Sequence, residues 1–245
     1  GVVIGDDVEI GPYAIIGPHV VIGNGCRISG HAMISGHTTL GAGCEVHPFA
    51  HIGGKTQDLK FDGGTTYVHI GERTVLREYV TINCGTSDGE VTRVGDDCLI
   101  MAYCHVAHGC VLGNHVIVSN GTHFAGEVTV EDHATISGLC GVHQFCRIGC
   151  HCMVGMSTMV TQDIPPYLIT GGNPPTTHGI NVVGLTRRGF SEEARTALKN
   201  AHKIICRSGL NVTEALASVE STLPDLPEVR HLVEFFRTTK RGVIR

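Results

Sequence analysis

Two imidazoles stand three residues apart in Cys104-His105-Val106-Ala107-His108, and Gly109 follows them. Further along, Gly126-Glu127 and then Val142-His143-Gln144 break an otherwise regular aliphatic pattern. A neutral histidine can take a proton near pH 7, so these clusters are candidates for general-base chemistry. The plainer alternative is a set of surface histidines in a chain that has sixteen of them. Spacing alone leaves both open.

The elements that must position these residues follow from one repeat. An aliphatic position returns every sixth residue from Ile4 to Ile52, resumes at Ile70, Leu76 and Ile82, and runs from Val94 to Val160. Of these 24 positions only Phe124 is not Ile, Leu or Val. A helix repeats near 3.6 residues and a half-buried strand at 2, so neither explains six. Hexapeptide periods point to a parallel β-helix, in which three hexapeptides close one triangular coil. Two residues before each aliphatic position stands Val, Ala, Cys or Thr, which puts both columns on the inward face of a strand. Glycine often follows the aliphatic residue, as at Gly5, Gly23 and Gly95, as expected where a chain turns a tight corner.

Eight of the eleven cysteines occupy the small-residue column, among them Cys98, Cys104 and Cys110. That position predicts packing as buried free thiols rather than metal or disulfide chemistry, and fits a reducing compartment. No run of 18 apolar residues is present, so no membrane span is expected. The net charge of −5 is divided unevenly. Residues 1–185 carry 7 basic and 16 acidic side chains, whereas residues 186–245 carry 11 and 7. A basic tail can steer a negatively charged partner. Because Val2 and Ile4 are already in register, a first rung is expected to be missing, through trimming or removal of a targeting segment.

The β-helix is expected over residues 1–165, with loops at 54–69 and 83–93 where the register lapses and then resumes. Insertions of this kind commonly build a binding face. Pro165-Pro166 is expected to end the ladder. Residues 166–190 read as a connector, and 191–245 as a helical domain. Ser191 is a candidate N-cap for a helix ended by Gly209, Asn211 opens a capping box with Glu214, and a third helix follows Pro227.

Several motifs occur in one order: Gln57-Asp58-Leu59-Lys60, His105-Val106-Ala107-His108, Val142-His143-Gln144-Phe145, and Asn181 with Arg187-Arg188-Gly189-Phe190. Together with the closing Thr239-Lys240-Arg241-Gly242-Val243-Ile244-Arg245, they resemble the bacterial acyl-[acyl-carrier-protein]–UDP-N-acetylglucosamine O-acyltransferases along essentially the whole chain. The resemblance implies a left-handed parallel β-helix with a C-terminal helical domain. It also implies a homotrimer with sites between subunits and a cytoplasmic location, or an organellar matrix if a targeting segment has been removed. The implied reaction is transfer of a 3-hydroxyacyl group from acyl carrier protein to the 3-hydroxyl of UDP-N-acetylglucosamine, the first step of lipid A synthesis. No cofactor, metal or nucleic acid enters it.

By the same resemblance His108 is the general base and the Gly126 N–H faces the oxyanion. Asp58 and Lys60 contact sugar and phosphate, Gln57, His105, His143 and Gln144 line the pocket, and Asn181 and Arg187 hold the nucleotide. Met156 stands where the family sets the floor of the acyl groove with glycine or a bulkier residue, so a shorter chain is expected; a flexible gap-filler is the alternative. Three positions depart from the pattern: Gly109 replaces an acidic residue after the catalytic histidine, Glu127 stands for a histidine, and Val183 replaces an acidic residue. These departures keep open a catalytically weak protein that binds a nucleotide sugar. A zinc hydratase resembling γ-class carbonic anhydrase is a further alternative, though it has no use for the helical tail.

Overall fold

The computed structural model describes all residues 1–245. Its strands fall into three sheets, of 8, 10 and 8 strands, that form the faces of a triangular prism and are parallel except for the last pair of the 10-stranded sheet. Face 1 begins with Val3–Ile4, face 2 with Glu9–Ile10 and face 3 with Ile15–Ile16, and the chain visits them in that order on every coil. One coil takes 18 residues, as in the pairing of Val3 with Val21. The advance is 30 residues between His37 and Tyr67 and 24 between Tyr67 and Val91, so two segments leave the prism without disturbing the ladder. These excursions span 55–66 and 84–90, because Gly54, Asn83 and the strands Tyr67–Ile70 and Val91–Val94 pair beyond the aliphatic register.

Both inward columns are buried from Val20 onward. All eight column cysteines are free and buried, as the repeat predicts. They also do something that the repeat does not reveal. The thiols of Cys98, Cys110 and Cys140 each donate to a carbonyl oxygen of the following coil at 3.1 Å. The Thr122 hydroxyl does the same to Ser137 at 2.8 Å. A small donor in this column thus satisfies a carbonyl that turns inward at the corner. Burial pushes the Cys98 and Cys104 thiols up to about 11, so they stay neutral.

The corner glycines need a different explanation from the one their position suggested. The left-handed residue of each turn lies three places after the aliphatic one, at Asp7, Tyr13, Asp97, Tyr103 and Glu127 among others, and is usually not glycine. Gly71 and Gly95 have ordinary backbone angles, but a β-carbon on either would come within 2.5 Å of the backbone of the next coil. Close approach of coil to coil, not backbone conformation, requires glycine there.

The ladder continues past Pro165-Pro166. Ile164 bridges to Ile148, and strand Leu168–Gly172 pairs in parallel with Met153–Val154 before turning back into Pro175–Ile180. Pro166 sits at a corner, where its missing N–H costs no ladder bond. The expected connector therefore holds a hairpin and a short helix, α1 (Val182–Arg187).

Helices α2 (Glu192–Arg207), α3 (Val212–Thr222) and α4 (Pro227–Arg237) follow. The Ser191 side chain caps α2 by accepting from the Ala194 N–H, and the Asn211–Glu214 capping box opens α3. Their apolar faces make a second core with Tyr167, Leu168 and Leu185. Two contacts fasten α4 to the prism: His231 meets Glu131 at 2.9 Å, and the Arg147 guanidinium lies over the Phe235 ring at 4.2 Å. No helix is long and apolar enough to cross a membrane.

Candidate functional site

Residues 108, 126 and 144 are one coil apart, so the 18-residue advance stacks them on the corner between faces 3 and 1. The two excursions leave the prism at this same corner, since each follows a face 3 strand. A cavity of about 430 Å³ results, lined by Gln57, Asp58, Lys60, His105, His108 and Gly126, with Gln144 at its rim. Asn83 and Phe124 also line it, although neither was legible as a site residue. The excursions brace each other. The Thr56 and Thr86 hydroxyls lie 3.0 Å apart, and Asp88 accepts from the Thr65 N–H at 2.7 Å.

His108 is mostly buried. Its Nε2 lies 3.6 Å from Asp58 Oδ2, and its Nδ1 lies 4.0 Å from Glu127 Oε1. The Nδ1 atom is buried and has no hydrogen-bond partner. Gly126 lies directly beneath the ring, and its N–H donates to no backbone or side-chain acceptor. His105 is fixed by a 2.7 Å hydrogen bond between its Nδ1 and the Thr81 hydroxyl. Burial, reinforced by nearby His123, lowers its pKa and keeps it neutral. His143 does not line the cavity. It follows inward-facing Val142 and stands exposed, its Nδ1 3.1 Å from the Gln144 carbonyl oxygen.

The nucleotide-contact candidates lie on another corner, between faces 1 and 2. Asn181 and Arg187 line a cavity of about 270 Å³ with His133, His151 and Arg188. Asn181 serves α1 as its N-cap, accepting from the Gly184 N–H at 3.1 Å, while its amide donates to the His151 carbonyl at 3.0 Å. Its side chain thereby anchors the helix that carries Arg187 and is capped by Arg188. His115, His133 and His151 occupy the same turn position on successive coils and stack at 4.6 and 4.7 Å. Burial lowers both His133 and His151, the latter to about 4, with Arg188 contributing in each case. These neutral rings were missed from sequence, although their 18-residue spacing was a signal for one shared corner.

Met156 falls on the third corner, between faces 2 and 3, and is 69% exposed. Within one chain, therefore, His108, Arg187 and Met156 mark three different edges of the prism.

Two groups of side chains approach the geometry of a metal site, Glu90–His108–Glu127 and Glu131–Cys150–His231. In the second, Glu131 Oε2 already accepts from the Cys150 N–H at 2.8 Å and meets His231 at 2.9 Å. Its oxygen is occupied by an ion pair that joins α4 to the prism.

Residues 163–244 match the family model described as UDP-N-acetylglucosamine O-acyltransferase, domain 2, and residues 1–36 and 92–126 match the bacterial transferase hexapeptide model. A protein of Chlorobaculum tepidum is 55% identical over 237 residues, which span 96% of this chain and 90% of that one. One of Thiobacillus denitrificans is 45% identical over 246 residues, spanning 100% and 95%. Both are named acyl-[acyl-carrier-protein]–UDP-N-acetylglucosamine O-acyltransferase. Among solved structures, a UDP-N-acetylglucosamine acyltransferase of Bacteroides fragilis superposes with a TM-score of 0.97 at 44% identity, covering 99% of this chain and 95% of that one. The Arabidopsis UDP-N-acetylglucosamine acyltransferase gives 0.90 at 32%, covering 100% and 96%.

Proposed function

This chain belongs to the acyl-[acyl-carrier-protein]–UDP-N-acetylglucosamine O-acyltransferase family, and we propose that the corner between faces 3 and 1 is where it carries out the family's reaction. It is an acyltransferase of lipid A biosynthesis that uses acyl carrier protein as donor and UDP-N-acetylglucosamine as acceptor. The observation that carries the site assignment is the overlap of His108 and Gly126, a base and a free N–H at one point of one cavity.

In this reading His108 Nε2 takes the proton of the sugar 3-hydroxyl as the oxygen attacks the thioester carbonyl. The C–O bond forms, and the Gly126 N–H donates to the oxygen that becomes negative. Collapse of the tetrahedral intermediate breaks the C–S bond, and the proton on Nε2 passes to the departing thiolate of the carrier. Asp58 and Lys60 bind the sugar and phosphate ends of the acceptor, and Gln57, His105 and Gln144 close the pocket around it. His143, exposed at the rim, contributes only to an acceptor that extends beyond the lining.

Arg187 and Arg188 supply the charge for a nucleotide diphosphate, and Asn181 orients the helix that ends with them. Their edge is separated from that of His108 by the whole of face 1, which supports a site completed by a second chain in a homotrimer. Met156 acts as the floor of the acyl groove. The metal-hydratase alternative is not favoured, since relatives over nearly the full length carry the acyltransferase name. The test is transfer from carrier-bound 3-hydroxyacyl chains to UDP-N-acetylglucosamine by the purified protein. Binding of the nucleotide sugar without transfer would favour the catalytically weak alternative.

A further inference from the structure

We propose that Glu127, which stands beside Glu90, is the positioning carboxylate for His108: it accepts the Nδ1–H, so that Nε2 carries the lone pair that faces the sugar hydroxyl. This rests on the assignment of His108 as general base. Nδ1 is buried without a partner, and the carboxylate oxygen nearest to it is Glu127 Oε1 at 4.0 Å. That is longer than a hydrogen bond, but catalytic contacts commonly tighten only once substrate is bound.

The space next to the base supports the same assignment. A β-carbon at Gly109 would fall 2.5 Å from Glu127 Oε1 and 2.6 Å from Glu90 Oε1. Two carboxyl groups therefore fill the volume that a side chain following His108 would occupy. Glycine at 109 and glutamate at 127 act together: the carboxylate comes from the next coil instead of from the neighbouring residue.

Glu90 is itself held in place and governs when Glu127 ionises. Its Oε2 accepts from the N–H groups of Thr86 and Ser87, the latter at 3.0 Å, which leaves Oε1 to meet Glu127. Burial and the hydrogen bond to Glu90 raise the Glu127 carboxyl to about 7. Glu90 is held low, against its own burial, by Glu127 and the two N–H groups. The shared proton thus rests on Glu127. As pH rises through about 7 Glu127 ionises and becomes an acceptor for Nδ1–H; as pH falls that acceptor is lost. The other ionisable groups facing this pair are Asp58, on the opposite side of the imidazole, Lys60 in the same cavity, and the Cys110 thiol, which burial raises to about 12. Glu127 takes no proton from substrate in this scheme. It steadies the imidazolium while Nε2 carries the hydroxyl proton to the thiolate.

The experiment measures kcat and KM from pH 5.5 to 9 for the wild type and for Glu127→Gln, Glu90→Gln and His108→Ala. Glu127→Gln is expected to lower kcat about 10- to 100-fold, leave KM for both substrates within about twofold, and remove one ionisation from the acid limb of kcat. Glu90→Gln is expected to shift that limb to lower pH, because a carboxyl freed of a like charge ionises more easily. Should Gln at 127 prevent folding, Glu127→Asp keeps the charge but withdraws it by one methylene, and lowered kcat with the ionisation retained is expected. An inactive His108→Ala protein beside a Glu127→Gln protein with wild-type kcat and pH profile overturns this proposal alone. A fully active His108→Ala protein overturns the base assignment, and this proposal with it.

Discussion

The His108 imidazole rests on the α-carbon of Gly126, one coil further along the same corner, so that a β-carbon at 126 would overlap its Nε2 and Cε1. Gly126 has no left-handed backbone angle to satisfy. Glycine is needed there for the space it leaves, which lets the base and the backbone donor share one point.

Gly126→Ala should therefore displace the imidazole while the prism stays intact. Turnover is expected to drop about 100-fold or more, the scale of losing a positioned base or an oxyanion donor. Thermal unfolding and acyl-transfer assays on the same preparation check this; normal turnover would mean that the ring is not held where the chemistry occurs.

His108→Ala should fold normally, because the side chain lies at a corner outside both buried columns. The expected loss in kcat is about 10²–10⁴-fold. Circular dichroism establishes the fold, and near-native turnover would remove His108 from the mechanism.

Mixing two inactive proteins tests the shared site. If His108 and Arg187 meet across a subunit boundary, trimers reassembled from His108→Ala and Arg187→Ala chains regain part of the wild-type activity. A mixture that stays inactive after verified subunit exchange counts against that arrangement, and a monomer at working concentration counts against shared sites altogether.

Met156→Gly is expected to move the preferred donor to longer 3-hydroxyacyl chains. Each extra methylene buried contributes about 0.8 kcal/mol where there is room, whereas one pressed against Met156 adds strain instead. A ladder of carrier-bound donors assayed with both proteins reads this out, with affinity for the nucleotide sugar unchanged. Identical profiles would assign the chain-length limit to another residue.

The attachment of α4 should weaken in alkali. Cys150 and Glu131 beside His231 raise its pKa to about 10, against the burial that opposes it. A raised folded pKa means stabilisation that is fully present below the unfolded value of about 6.5 and is lost as pH rises through the folded one. The difference in thermal midpoint between wild type and His231→Gln should accordingly shrink from pH 6.5 to 10. A difference that does not vary with pH would show that the ring acts by packing alone, for instance against Tyr167, whose ring centroid is 5.8 Å away.

The six-residue period by itself determined the prism, its two inward columns and the burial of the cysteines, because each hexapeptide has one way to turn a large and a small side chain inward together. Helix caps at Ser191 and Asn211 were equally legible, since the groups they satisfy lie within three residues. The motif residues Gln57, Asp58, Lys60, His105, His108, Gly126 and Gln144 could be named from sequence, and the coil brings them to one cavity. Other features depended on contacts between coils, which no local pattern records. Glycine after the aliphatic residue avoids the next strand, not a forbidden φ; the ladder passes the prolines because Pro166 lands on a corner. Glu90 reaches Glu127 only because an excursion and a later coil return to the same edge. His108, Arg187 and Met156 look like parts of one site along the chain, yet the triangular section sends them to three edges: His108 follows a face 3 strand, Met156 follows a face 2 strand, and the closing hairpin and α1 carry Arg187 back to the edge between faces 1 and 2.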